Sequence, residues 1–174
     1  MKNLFIVLLI TLVFVGCNKD DDNNDNNSSV EGTWKLTAFN TENAYDFNGD
    51  GTASTNVMDE TACYQNETVE FTSNSSGTAT NRSYADITLD LITGSTTEYE
   101  YSVNCVPEVD IETFTWAQNG NNVVITSFDG PSTATLNGSE LTFVIQSGFF
   151  VDVEDGSGGT TSITEDITIV YTKQ

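Results

Sequence analysis

Asp46-Phe47-Asn48-Gly49-Asp50-Gly51 is the stretch whose residue types and spacing could do chemistry. Oxygen-bearing side chains at alternate positions, followed by Gly, match the first half of a Ca²⁺-binding loop, where Gly permits the sharp turn around the ion. The second half of such a loop is missing, because Val57 stands where a bidentate Glu would close the shell. Asp46, Asn48 and Asp50, with Asp59 and Glu60 bending back, form the candidate metal set. The competing reading is a plain polar turn, since Asn-Gly and Asp-Gly are turn dipeptides in their own right.

The rest of the chemistry is bounded by absences. The 174 residues contain no His, which removes Ser-His and Cys-His nucleophiles, imidazole bases and His-ligated zinc. Three Cys occur without a Cys-x-x-Cys pair, so a thiolate zinc site is excluded as well. Carboxylates are plentiful, but no pair is singled out for glycosidase work. No catalytic residue is assigned, and the expected role is non-enzymatic, with an accessory carboxylate hydrolase as the weakest alternative. The formal charge is −21, from 5 basic and 26 acidic residues. That field repels phosphate backbones and favours cations, so nucleic acid is not an expected partner.

The elements that must position any site are strands. Trp34, Leu36 and Ala38 alternate with Thr33, Lys35 and Thr37, the period of a half-buried strand. The same alternation returns at Val69 and Phe71, Ile87 to Leu91, Tyr99 to Val103, Phe114 and Trp116, Val123 and Ile125, Leu141 to Ile145, Phe149 to Val153 and Ile167 to Tyr171. Turn residues near positions 94, 120, 130, 138, 148 and 157 punctuate these runs, with Asn137-Gly138 the sharpest hairpin signal. The pattern predicts an all-β, antiparallel up-and-down barrel of about eight to ten strands, with a β-sandwich as the alternative. A membrane-spanning barrel shares the alternation, but here the apolar faces are needed for a core.

Gly32-Thr33-Trp34 opening the first strand of such a chain resembles the Gly-x-Trp motif of lipocalins. With "GTWKLT" and the Asp46 to Gly51 segment, the layout over residues 30 to 173 is similar to lipocalin-like lipoproteins of the Bacteroidetes. The resemblance implies that Trp34 plugs the closed end of the barrel beneath a cation near the last strand, for which Lys173 is the candidate. It also implies an apolar cup for a hydrophobic small molecule or lipid, with Trp34, Phe71, Tyr99, Tyr101, Trp116 and Phe143 as candidate lining residues. The alternative is that these aromatics fill a solid core, and that loops bind a surface protein or glycan, with calcium as an optional brace.

Lys2 and the apolar run Leu4 to Val15 have the layout of a secretory signal. As a helix the run spans about 18 Å, too short for roughly 30 Å of hydrocarbon. It ends in Phe14-Val15-Gly16-Cys17, which resembles a bacterial lipobox, so Cys17 is the expected lipidation site; an ordinary signal peptide with an incidental Cys is the other reading. Asn18-Lys19-Asp20-Asp21-Asp22 resembles a signal for export to the outer face of the outer membrane. The predicted organisation is a signal peptide over 1–16, a lipidated acidic tether over 17–29 and a barrel domain over 30–174. The expected location is the outer membrane, lipid-anchored and exposed on the cell surface, with the periplasmic face as the alternative. In an exported domain Cys63 and Cys105 are expected to form a disulfide; two buried thiols are the rival reading.

Overall fold

The computed structural model describes residues 28–95, 99–154 and 159–174. The expected signal peptide, Cys17 and almost all of the tether lie outside these residues. So does most of the Gly-rich tip near residue 157. The described chain forms β1 (Gly32–Tyr45), β2 (Ser54–Asn56), helix α1 (Val57–Glu60), β3 (Thr68–Phe71), β4 (Ser76–Leu91), β5 (Tyr99–Asn119), β6 (Asn122–Ser127), β7 (Gly130–Asn137), β8 (Glu140–Glu154) and β9 (Thr160–Lys173).

Each strand from β3 to β9 pairs with its sequence neighbour, and β1 pairs with both β3 and β9. All pairings are antiparallel, and β2 lies against the upper half of β1. With β2 set aside, the other eight of the nine strands form a closed up-and-down barrel, the architecture the sequence predicts. Closure leaves no free edge at the bottom of the ring, which is how such barrels avoid edge-to-edge association.

Two expectations about strand limits are corrected. The segments around Tyr101 and Phe114 belong to one strand, β5, of 21 residues. It stays continuous by a bulge opposite Asn81 to Ser83, where β5 carries extra residues near Pro107 and no ladder bond has to be donated by the proline. Likewise Ser147-Gly148 is a bulge inside β8 and not a turn. Ser147 takes φ 53° and donates its backbone N–H to Asp166 Oδ1 at 2.8 Å. A side chain at Gly148 would come within 2.6 Å of Ile167 Cγ1, so only Gly lets β8 press this close to β9.

Two apolar clusters fill the barrel. The lower one gathers Trp34, Val69, Phe71, Phe114, Val123 and Leu141 at the closed end. Phe114 lies directly across from Gly77, whose missing side chain leaves room for the ring. The upper one is built from Tyr45 at the end of β1 and from Phe47 and Val57, which enter from the segment between β1 and β3, against Phe149 and Ile167. β6 reaches only Thr115–Asn119 of β5, and β7 only Glu140–Phe143 of β8. The upper arms β4–β5 and β8–β9 are therefore joined by packing across the upper cluster, not by a continuous ladder.

Candidate functional site

Between the two clusters the barrel holds a cavity of about 420 Å³. Leu36, Phe39, Ile169 and Tyr171 from β1 and β9 form one apolar wall. The wall bends because β1 carries a bulge between Leu36 and Ala38, which turns Phe39 inward opposite Ile169. Tyr64 and Glu67, from the loop before β3, close the side. Asn81, Ser83 and Tyr84 on β4 and Glu108 and Asp110 on β5 complete the lining. Of these last five all but Ser83 are exposed, so they mark the mouth.

The loop carrying Tyr64 is tied down at both ends. Cys63 is fully buried and joined to Cys105 on β5 by a disulfide with a Cα–Cα distance of 5.4 Å. Tyr64 stacks edge-on against Phe39 at 5.2 Å, and its hydroxyl accepts the Ala85 N–H at 3.0 Å. Glu67, 2 % exposed, accepts the Ser83 backbone N–H at 3.1 Å, the Ser83 hydroxyl at 3.0 Å and the Arg82 backbone N–H. These β4 donors lie opposite the bulge in β5, where the ladder is interrupted, so the carboxylate is what keeps them satisfied. Burial, with the nearby Glu67 charge, pushes the Tyr171 hydroxyl up to about 12, and burial also raises Tyr64.

Above the cavity, Glu165 on β9 anchors the end of β1. It is 5 % exposed and accepts the backbone N–H groups of Glu42 at 2.9 Å and Asn43 at 3.0 Å, the Asn43 amide at 2.6 Å and the Tyr45 hydroxyl. Burial pushes its pKa up, but the hydrogen bonds from Asn43, Tyr45 and the backbone outweigh this and hold it below the usual carboxylate range. Because the folded value is depressed, its contribution is present above the unfolded pKa and is lost as pH falls through the folded one. Glu165→Gln is expected to cost about 1–3 kcal/mol at neutral pH. The gap from the parent protein should narrow below about pH 4. Urea melts of both proteins across pH 3 to 7 check this; a gap independent of pH would contradict it.

The residues singled out from the sequence divide as follows. Trp34 is fully buried, donates from Nε1 to the Val30 carbonyl at 2.7 Å, and lies 5.3 Å beneath Lys173 Nζ. Phe71 packs against Phe114 at 5.3 Å and Trp116 at 5.8 Å. Phe143 packs on the lower cluster beside Tyr171, Tyr101 packs edge-on against the stacked rings of Tyr45 and Phe47 in the upper cluster, and Tyr99 opens β5. None of these six aromatics lines this cavity, although Trp116 borders a second one beside Ser29 and Gln118. The reason is steric: the interior of an eight-stranded barrel is just wide enough for large side chains to fill it. The space is left where the bulges and the Tyr64 loop interrupt that filling.

The candidate metal set is drawn into its own turn. Asp46 accepts the N–H groups of Asp50 at 3.0 Å and Gly51 at 2.9 Å, Asn48 accepts Asp50 N–H at 2.8 Å, and Asp50 accepts Thr52 N–H at 2.8 Å. Asp59 accepts the Ser54 hydroxyl at 3.1 Å, and Glu60 reaches the Asn48 N–H at 3.5 Å. Among the described residues no three acidic or Cys side chains are grouped to hold a metal ion. The polar-turn reading accounts for this geometry.

Sequence reasoning missed Tyr64, Glu67, Glu108, Asp110 and Glu165. Leu36, Ile169 and Tyr171 carried an inner-face signal through alternation, but Tyr64 and Glu67 sit in an aperiodic loop. A family model described as a lipocalin-like domain matches residues 30–143, from just before β1 into β8. No curated protein and no solved structure matches.

Proposed function

This chain belongs to the lipocalin-like domain family, and we propose that its barrel is a non-enzymatic binder of a hydrophobic small molecule or lipid. The observation that carries this reading is the cavity of about 420 Å³ walled by Leu36, Phe39, Ile169 and Tyr171, within the size range of ligand pockets. Binding would proceed by burial of apolar ligand surface on that wall, with the Tyr64 and Tyr171 hydroxyls setting orientation. At about 0.3 kcal/mol per heavy atom, a ligand of roughly fifteen atoms would bind with a Kd of about half a millimolar. No cofactor enters this mechanism, and in the Asp46 to Gly51 turn Asp46 and Asn48 accept backbone N–H groups of the turn itself.

The reading is tested by titrating the uncharged fluorescent probe N-phenylnaphthylamine into the protein and into an Asn81→Trp variant, whose indole would occupy the mouth. Saturable one-to-one binding that weakens about tenfold or more in the variant is expected. Equal affinity in both would place the probe elsewhere and contradict the proposal.

In the same reading residues 1–16 are a lipoprotein signal, Cys17 carries the lipid, and residues 17–29 tether the domain at the outer membrane, facing the cell surface. The Phe14 to Cys17 motif and the acidic run behind it support this. Metabolic labelling with a palmitate analogue should mark the protein and be lost in Cys17→Ser. Label retained in that variant would sink the anchor.

A further inference from the structure

From the chemistry of the cavity mouth we infer that the ligand is a cationic amphiphile, an amine with an apolar body, in preference to a neutral lipid or a fatty acid. The inference rests on the proposed binding role and specifies its ligand class. Glu67, Glu108 and Asp110 all line the cavity, and among the described residues no Lys or Arg does. A neutral head group seated there would leave Glu108 and Asp110 without a partner charge, and a carboxylate would be repelled by them. Aromatic rings of Phe39, Tyr64, Tyr84 and Tyr171 share the same space, and their faces attract cations electrostatically.

A separate observation points the same way. Glu112 follows Asp110 by two positions on an unbroken stretch of the β4–β5 ladder, so both side chains leave β5 on one face. Phe114, next on that face, is in the lower cluster, which makes the face the inner one. Glu112 Oε1 is buried and has no hydrogen-bond partner among the described residues. Buried acceptors are almost always paired; Glu112 does not itself line the cavity, so the donors it lacks would come from an ammonium group passing inward beyond Asp110. The formal charge of −21 adds a long-range field of the same sign, which speeds the approach of cations and slows that of anions.

The test displaces bound N-phenylnaphthylamine from the full chain with decylamine, decanol and decanoate, which share a chain length and differ in head-group charge. Decylamine is expected to compete at about tenfold lower concentration than decanol, with decanoate the weakest. A Glu108→Gln/Asp110→Asn variant should lose the preference for the amine, and a melting temperature within a few degrees of the parent's reports that it is folded. A Glu31→Gln/Glu140→Gln variant makes the same change of net charge at the closed end and should keep the preference. Equal competition by decylamine and decanol would overturn the inference and leave the binding role standing. Loss of the preference in both variants would overturn it too, by assigning the effect to the overall field. Failure of the probe and all three competitors to bind would overturn the binding role together with it.

Discussion

Replacing Trp34 by Ala should destabilise the protein by about 3–5 kcal/mol, close to half the stability of an ordinary domain. Three losses combine at this one position. The fully buried indole leaves a cavity at the closed end of the barrel, where Val30, Val69 and Leu141 belong to the same cluster and cannot all collapse into it. Its Nε1 no longer donates to the Val30 carbonyl, which holds the entering chain against the barrel floor. Lys173, whose ammonium sits over the ring and donates to the Ser29 carbonyl at 2.7 Å, loses the aromatic face beneath it. Trp34→Phe keeps most of the apolar area and a ring face, so it should cost only about 1–2 kcal/mol. Urea denaturation with an unchanged m-value reads both numbers. A loss below about 1 kcal/mol for the Ala variant would mean that the closed end is held by other contacts.

The disulfide carries the second large effect. Cys63 and Cys105 are 42 positions apart, and in the chain-entropy model a loop of that length is worth about 4 kcal/mol. The Cys63→Ser/Cys105→Ser protein should melt roughly 8–16 °C lower than the parent. The structure adds a functional consequence. Tyr64 follows Cys63 directly and lines the cavity, and Glu67 behind it accepts from the β4 backbone opposite the β5 bulge. Releasing the bridge frees the loop that closes the side of the cavity, so probe affinity should fall along with stability. A drop in melting temperature with unchanged affinity would show that Glu67 and the Tyr64 hydroxyl hold the loop unaided.

What the sequence made legible follows from the range of the interactions involved. Alternation at Trp34, Leu36 and Ala38 and the turn at Asn137-Gly138 are local signals, and they place the first strand and the last hairpin before β9 correctly. Lys173 over Trp34 was also within reach, because both lie at the ends of a barrel that closes on itself. Ser147-Gly148 misled because bulges and turns draw on the same residue types. The merging of two predicted strands into β5 was hidden for the same reason: Pro107 and its neighbours look like a break.

The cavity was harder still to read. Its polar anchors, Glu67 and Glu165, are acidic residues that the general rule places in solvent. Glu165 is buried only because donors about 120 positions away meet it. No local pattern announces such a meeting. The aromatic residues that stood out by type went into the two clusters, and the cavity arose where bulges displaced the inner-face register.

The central claim is that the space between the two clusters receives an apolar ligand. Its most direct test is nuclear Overhauser contact between bound decanol and the protein's methyl groups. Contacts to Leu36 and Ile169 and to the ring protons of Phe39 and Tyr64 are expected. Contacts instead to Leu136 and Leu141 in the lower cluster, or to Val144 on the outer surface, would contradict the account.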